Sequence, residues 1–165
     1  MNKNISLKLL LFFSILVSFT VHSKERVWLD YDLAMGKKLA DVDDGLALIS
    51  ALTSNEIEIA GLSFGFGNIN DLQFMERETI KILHKVGRSE LPSDRGAEDK
   101  YQLGISTDAT EAIASALRKG PLKILALGRM TNIASTIILH PELKANIQEV
   151  VVNFGRRLEY EVGVG

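Results

Sequence analysis

Hydrophobic and polar positions alternate between two spacings along this chain, one typical of buried strands and the other of amphipathic helices. Short apolar runs predict four strands, at residues 27–31, 57–64, 122–127 and 150–154. Segments with helical spacing predict helices at residues 43–53, 71–86, 108–118 and 131–139, and a short one at 141–147. Strands and helices that alternate in this way form mostly parallel sheets with right-handed crossovers. We therefore predict an α/β domain whose open, mostly parallel sheet has helices on both faces.

The helix at residues 71–86 has the clearest apolar face, and the segment that follows it has the weakest pattern. Leu72, Met75, Thr79, Ile80 and Leu83 share that face and are predicted to pack on the sheet. The polar stretch 87–107 is predicted to be a long loop with a short piece of structure inside it. Loops of this length usually have a function or are disordered.

The first 23 residues differ in character from the rest. Lys3 and Lys8 flank a short positive region at the amino terminus. Residues 9–17 are apolar, and small residues lie near Ser23. This layout predicts a secretory signal peptide at residues 1–23, with 24–165 as the mature protein. The apolar run is shorter than the roughly 20 residues of a membrane span, so the alternative of a retained anchor is less favoured. We expect a secreted or periplasmic protein without stable membrane association after cleavage.

Composition narrows the class of partner. The chain has 165 residues, a length typical of one domain, with 46% hydrophobic and 24% charged residues. Its formal net charge is −2, and it contains no long basic run, so a nucleic acid polymer is not an expected partner. It has no cysteine, so disulfide bonds cannot contribute to stability.

Acidic residues are concentrated where the first predicted strand ends and the first helix begins. They are Asp30, Asp32, Asp41, Asp43 and Asp44. In open α/β sheets this edge is where ligands bind. Crowded carboxylates repel one another unless a cation neutralises them, and calcium or magnesium prefers such oxygen ligands. The sequence therefore favours a divalent cation site.

Simpler interpretations of the same residues remain open. An Asp-Asp pair such as Asp43 and Asp44 also occurs at ordinary helix starts, where it interacts with the helix dipole. Lys37 and Lys38 lie between the acids, but in a polar loop where they are expected to point into solvent.

The ends of the next two predicted strands also carry polar residues. Gly65, Gly67 and Asn68 follow the second strand, where the glycines allow close backbone approach and the amide suits a sugar hydroxyl. The alternative is a plain turn. After the third strand, the side chain of Thr131 or Asn132 is expected to cap the next helix, and the backbone carbonyl of such a turn can still face a cation.

Taken in order, these motifs resemble the inosine-uridine preferring nucleoside hydrolase family. The resemblance runs from about residue 27 to 154, which is nearly all of the predicted mature chain, and implies a Rossmann-like nucleoside hydrolase fold. The segments that carry it are Asp30-Tyr31-Asp32, Asp43-Asp44-Gly45-Leu46-Ala47-Leu48, Gly61-Leu62-Ser63 with Gly67-Asn68, Leu127-Gly128-Arg129-Met130-Thr131-Asn132-Ile133-Ala134, and His140-Pro141-Glu142-Leu143.

The resemblance implies a calcium (Ca2+) cofactor at the acidic cluster. Asp32 and Asp44 would be its carboxylate ligands, and the main-chain carbonyl of Thr131 would be another. Asp30 belongs to the same metal cluster and would support it from its inner edge.

The implied activity is hydrolysis of the N-glycosidic bond of ribonucleosides to free base and ribose. Asp32 would be the general base that takes a proton from a calcium-bound water, while Asp43 and Asn68 would bind the ribose hydroxyls. The partner is then a small-molecule nucleoside. Family members commonly form dimers or tetramers, so a homo-oligomer is also expected.

Two departures from the family pattern affect the expected architecture. Residues 33–42 separate Asp32 from the Asp-Asp pair, which makes this loop an extended variant. Family members are also longer, so residues 24–165 are expected to be the amino-terminal part of a truncated nucleoside hydrolase domain. The closing segment 159–165 carries no helix or packing pattern, which is typical of a cut.

Two other classes of function remain open at this point. Phosphatases of the haloacid dehalogenase kind also use Asp-x-Asp after a first strand, with the first Asp as nucleophile and magnesium as cofactor. Ala34 stands where that class has Thr or Val. A phosphatase of this kind also leaves the Asp43-Asp44 pair unexplained. The other class is an inactive secreted ribose- or metal-binding remnant.

Overall fold

Five strands form one sheet in which every neighbouring pair is parallel. The computed structural model describes residues 23–38 and 40–153. The strands are β1 (Glu25–Tyr31), β2 (Ile57–Phe64), β3 (Ser93–Arg95), β4 (Leu122–Ala126) and β5 (Ile147–Val152), in the spatial order β3-β2-β1-β4-β5. The predicted signal peptide, apart from Ser23, lies outside the described residues, as do Phe154 and the segment 155–165.

The predicted helices are present on both faces of this sheet. They are α1 (Asp43–Thr53), α2 (Leu72–Lys85), α3 (Asp108–Arg118) and α4 (Thr131–Leu139), with short 3-10 helices at Lys100–Gln102 and Pro141–Asn146. Side chains of β1 alternate between two cores, as the two-residue period of a strand requires. Leu29 packs in the core that contains α1 and α2, and Trp28 packs in the core that contains α3 and α4. The predicted α/β fold class is confirmed.

The sequence patterns missed or misplaced three features. β3 was absent from the predicted strands because Ser93–Arg95 is polar and only three residues long; backbone pairing with β2 defines it. Ile80 was predicted to face the core and is 58% exposed. β5 begins at Ile147, ahead of the predicted position, and ends at Val152.

Strand order places a crevice at the carboxyl ends of β1 and β4. From β1 the chain moves outward to β2 and β3, then crosses back to β4 and β5 on the other side of β1. The loops that follow β1 and β4 therefore lead in opposite directions, which is the arrangement that opens a ligand crevice in parallel sheets.

Across the described residues, we find no helix that is both long and apolar enough to span a bilayer.

Candidate active site

A cavity of about 580 Å³ opens at the carboxyl ends of the strands. Loops after β1, β2, β3 and β4 and the residue after β5 all contribute to its wall. The lining residues are Asp32, Asp41, Asp43, Asp44, Phe66, Gly67, Asn68, Lys100, Leu127, Gly128, Arg129, Met130, Thr131 and Asn153. Of the residues predicted from the sequence, Asp32, Asp43, Asp44, Asn68 and Thr131 meet at this cavity.

Asp32 lies at the centre of the site, directly after β1, and is 7% exposed. The backbone N–H of Asn68 donates to its Oδ2 at 2.9 Å, and the Asn68 side-chain amide donates to its Oδ1 at 3.3 Å. A Cβ added at Gly67 would overlap the Asp32 carboxylate. Glycine at position 67 therefore lets the β2 loop approach this carboxylate closely.

Asp44 forms a buried pair with Asp32. It lies in the first turn of α1, is 3% exposed, and its Oδ2 accepts from the backbone N–H of Asp32 at 3.1 Å. Burial and the neighbouring Asp32 carboxylate raise the pKa of Asp44 to about 8. Burial also raises the pKa of Asp32, while hydrogen bonds and the charge of Arg129 oppose that shift. In the metal-free chain this pair therefore binds a proton more tightly than an isolated carboxyl group does.

Asp41 and Asp43 line the outer part of the same wall. The Asp43 Oδ1 accepts from the backbone N–H of Asp44 at 2.9 Å, and its Oδ2 accepts from the amide of Asn153 at 3.2 Å. Asp41 accepts from the backbone N–H of Val42 at 2.8 Å. Both acids stabilise the start of α1, and both still face the cavity.

Asp30 lies beneath the cavity without lining it, and is 1% exposed. Its Oδ1 accepts hydrogen bonds from the Ser63 hydroxyl at 2.5 Å and from the Asn132 amide at 2.9 Å. Burial raises the pKa of Asp30 to about 7, although both hydrogen bonds act in the opposite direction. Asp30 is therefore held below the cavity by hydrogen bonds from β2 and α4.

Thr131 begins α4 and lines the cavity, but neither it nor Asn132 caps the helix through its side chain. The predicted cap is wrong because Met130 occupies the N-cap position without a side-chain bond. The Asn132 amide bonds to Asp30 and to the backbone N–H of Ala97 instead.

Of the two lysines that were expected in solvent, Lys38 is exposed and Lys37 is partly buried. Lys37 was expected in solvent; its ammonium group lies 3.2 Å from the Asp71 carboxylate and 4.9 Å from the Phe74 ring centroid. Lys37 therefore forms an ion pair with the N-cap residue of α2. Arg129 lies 5.2 Å from the Phe66 ring centroid at the cavity wall. In the described part of the chain, no lysine or arginine lies within 4 Å of the site carboxylates.

The site fits a hard divalent cation in donor chemistry. Two buried carboxylates in contact, with pKa values raised, are a pair that a cation would neutralise. Residues 23–38 and 40–153 contain no cluster of three or more acidic, histidine or cysteine side chains placed to hold a metal. The remaining ligands would therefore be main-chain oxygens, such as the Thr131 carbonyl, and oxygens of water or substrate.

Several site residues were not identified from the sequence as functional. Asn153 follows β5 and reaches Asp43 from a position 110 residues away in the chain. The sequence placed Asn153 inside the predicted strand 150–154, whereas the signal for Phe66 and Arg129 was their location after a predicted strand. Lys100 lies in the stretch that was predicted to be a loop.

Comparison with known proteins agrees with this geometry. The model of the family described as inosine-uridine preferring nucleoside hydrolase matches residues 27–159. The chain belongs to that family.

Individual relatives are similar over part of their length. A probable uridine nucleosidase 2 from Arabidopsis thaliana is 23% identical over 140 residues, covering 67% of this chain and 43% of the relative. The pyrimidine-specific ribonucleoside hydrolase RihA from Salmonella agona is 26% identical over 140 residues, which cover 68% of this chain and 45% of that relative. The structure of a purine-preferring ribonucleoside hydrolase from Gardnerella vaginalis superposes with a TM-score of 0.61 at 24% identity, covering 80% of this chain and 49% of that one. The chain thus spans about half the length of these proteins and shares the fold of the solved structure.

Proposed function

We propose that this protein hydrolyses the N-glycosidic bond of ribonucleosides to release free base and ribose. The observation that carries the proposal is the position of Asp32. It is buried at the crevice, oriented by two hydrogen bonds from Asn68 and paired with Asp44. Family membership and the functions named for the relatives support the same reaction.

We propose calcium as the cofactor, held by the Asp32 and Asp44 carboxylates with the main-chain carbonyl of Thr131. Calcium accepts six to eight oxygen ligands in flexible geometry, which suits two carboxylates supplemented by main-chain and substrate oxygens. When bound, such a cation would supply a lowered pKa for the attacking water and an anchor for ribose hydroxyls.

Asp32 is the general base in this proposal. The water oxygen forms a bond to the anomeric carbon, the bond from that carbon to the base nitrogen breaks, and its electron pair leaves with the base. The water proton passes to Asp32, and the departing base takes a proton from solvent. Asn68 holds the Asp32 carboxylate in one orientation throughout, through its backbone and side-chain N–H groups.

Asp43 binds the ribose in this proposal, with Asn68 beside it. The Asn153 amide orients the Asp43 carboxylate toward the cavity. Positive charge develops on the sugar ring as the base departs, and the surrounding carboxylates stabilise it. Asp30 supports Asp32 from below and does not reach the substrate.

The test is turnover of uridine and inosine by the purified chain, followed by chromatography of free base, with and without added calcium. We expect base release that is abolished by a chelator and by Asp32→Asn. Phosphate release from nucleotides without base release would instead favour the phosphatase chemistry. Ribose or calcium binding without any turnover would favour the binding remnant.

We also propose that the protein is exported and assembles with copies of itself. Residues 1–23 have the signal-peptide layout that supports export. The expected outcome is a mature chain starting near Lys24 in the secreted or periplasmic fraction, checked by mass spectrometry. Light scattering of the purified chain would test the homo-oligomer, and a monomer at all concentrations would contradict it.

A further inference from the structure

Asn132 is the most thoroughly fixed polar side chain near the site, and the proposed mechanism does not use it. It is 2% exposed in the first turn of α4. The backbone N–H of Ala97 donates to its Oδ1 at 2.9 Å, and its Nδ2 donates to Asp30 Oδ1 at 2.9 Å. A backbone N–H can only donate, so Oδ1 must face Ala97 and the amide nitrogen must face Asp30.

The other side of Asp30 is fixed by the same reasoning. The Trp28 indole N–H, which can only donate, bonds to Ser63 Oγ at 2.8 Å. The Ser63 hydroxyl must then direct its own hydrogen to Asp30 Oδ1, at 2.5 Å. Four hydrogen bonds therefore form one buried chain whose two ends are donor-only groups, with the Asp30 carboxylate as the acceptor in the middle.

Two glycines leave the space that the Asn132 side chain fills. A Cβ at Gly96, after β3, would overlap the Asn132 amide. A Cβ at Gly65, after β2, would lie 3.1 Å from the Asn132 Nδ2, a tight contact. The side chain thus occupies a slot between the ends of β2 and β3 and bonds to the end of β1.

The turn that carries Thr131 is bound to Asp30 on both sides. On the amino side of the turn, the backbone N–H groups of Leu127 and Gly128 donate to the Asp30 main-chain carbonyl at 2.8 and 3.3 Å. On the other side, the Asn132 amide bonds to the Asp30 side chain. Thr131 lies between these two anchors, and Asp32 is only two residues from Asp30.

We propose that Asn132 is a positioning residue for the cation site: by tying the start of α4 to Asp30, it fixes the Thr131 carbonyl relative to Asp32. The inference rests on the proposed function, because it assigns Asn132 a part in holding the cation proposed there. Asn132 itself touches neither cation nor substrate. Residues that orient metal ligands in this way typically contribute about 10- to 100-fold in metal affinity.

The matched control is Asn146, in the 3-10 helix before β5. Its side-chain amide also joins two elements, donating to the Leu117 main-chain carbonyl of α3 at 3.0 Å. It does not line the cavity. Asn132→Ala and Asn146→Ala each remove one side-chain amide that joins two elements. Only Asn132→Ala removes a hydrogen bond to Asp30.

The experiment compares these two variants with the unsubstituted chain by calcium calorimetry, nucleoside kinetics and the NMR resonance of the Trp28 indole N–H. The chain has one tryptophan, so that resonance is assigned without ambiguity. For Asn132→Ala we expect calcium affinity at least about tenfold weaker, and a fall in kcat that saturating calcium partly restores. The indole resonance should also shift. Asn146→Ala should lower stability while leaving all three readouts unchanged.

Asn132→Asp serves if Asn132→Ala does not fold. The aspartate keeps the side-chain shape and the acceptor for Ala97 but, when ionised, cannot donate to Asp30. It should give the same loss of calcium affinity. Equal calcium affinity and kcat in the Asn132 variants and Asn146→Ala would overturn the inference.

Failure of the proposed function gives a different pattern. If the unsubstituted, folded chain neither binds calcium nor releases base, the proposed function is overturned. The metal-positioning role of Asn132 is then overturned with it, whatever the indole resonance shows. If the unsubstituted chain binds calcium and releases base, but calcium affinity and kcat stay the same in the Asn132 variants, only the positioning role is wrong.

Discussion

The two ends of the parallel sheet carry cavities of equal volume, about 580 Å³ each, with different arrangements of charge. The cavity at the amino ends of the strands is lined by residues that include Arg26, Glu58 and Pro121. The cavity at the carboxyl ends is lined by four aspartates. Size therefore does not distinguish the two ends of this sheet, and the arrangement of charge does.

At the amino ends, opposite charges are paired. Lys123 lies 2.6 Å from Glu25 and 3.2 Å from Glu149, and Arg26 lies 4.0 Å from Glu58. The Arg26 guanidinium also donates to the Gly120 main-chain carbonyl at 3.0 Å. These side chains satisfy one another and fasten the strand starts to the preceding helix.

At the carboxyl ends, like charges are held together by hydrogen bonds from the backbone and from asparagine amides. Burial raises the pKa values of Asp30, Asp32 and Asp44, with no paired cation within 4 Å among the described residues. Such an arrangement costs stability in the absence of a ligand. The difference between the two ends supports the proposal that the carboxyl end receives a cation.

The largest expected effect is on turnover, at the carboxyl end. Replacing Asp32 by Asn removes the proposed base and preserves the side-chain shape, but its amide nitrogen, in place of one carboxylate oxygen, cannot accept one of the two hydrogen bonds that Asn68 donates. We expect kcat to fall by about 10²- to 10⁴-fold, measured by release of free base from uridine or inosine. An Asp32→Asn variant that retains full turnover would assign the base role elsewhere.

A smaller effect is expected from adding one methyl group beside the site. Gly67→Ala would place a Cβ against the Asp32 carboxylate, so the β2 loop or the carboxylate must move. We expect a loss of about 1 to 3 kcal/mol in the free energy of unfolding and weaker calcium binding by calorimetry. Gly87→Ala is the control. Nothing lies within 4 Å of a Cβ added there, so the only strain would come from the backbone φ of +72°. Equal calcium affinity in both variants would show that the close approach of Gly67 has no role in the site.

The pH dependence of stability should reveal the unpaired acids. Asp30 and Asp44 have folded-state pKa values of about 7 and about 8, raised from 3.8, so the folded state binds their protons more tightly than the unfolded state. The metal-free chain should therefore lose stability as pH rises from about 4 to about 8, by at most about 1.4 kcal/mol per pH unit for each group. Urea unfolding in a chelator would measure this slope.

Two variants sharpen that measurement. Asp44→Asn should flatten the upper part of the pH slope, and calcium should flatten it in the unsubstituted chain by replacing the bound proton. Stability that rises over the same interval would contradict the sign of both pKa shifts.

The smallest effect is expected at the amino end. Glu58→Gln removes one partner of a long, half-exposed ion pair, whose contribution is small. We expect a change of less than about 0.5 kcal/mol in the free energy of unfolding and unchanged calcium binding and turnover. A marked loss of turnover in this variant would mean that the two ends are not separate in function.

Features set by neighbouring residues could be predicted from the sequence. The predicted helices of residues 43–53 and 71–86 agree with α1 and α2. The sequence offers Asn70 or Asp71 as the cap of the second helix, and Asp71 is its N-cap, accepting from the Phe74 backbone N–H. The acidic cluster could be predicted for the same reason, because its members lie close together between a strand end and a helix start. The β-branched and aromatic runs likewise identified β1 and β2.

Features set by distant partners could not be predicted. Asn132 looked like a helix cap because that is the common local use of such a residue, whereas its partner Asp30 is 102 residues away. Lys37 looked solvated because its partner Asp71, the N-cap residue of α2, is 34 residues away. β3 has no apolar run of its own and becomes a strand only where β2 offers backbone groups to pair with.

Calcium titration of the purified, folded chain by calorimetry tests the central claim most directly, with Asp32→Ala, Asp44→Ala and Glu58→Gln as companions. The account predicts saturable binding that is lost in both aspartate variants and unchanged in Glu58→Gln. Absence of binding in the folded chain, or binding that survives both aspartate substitutions, would contradict a cation site at the carboxyl end of the sheet.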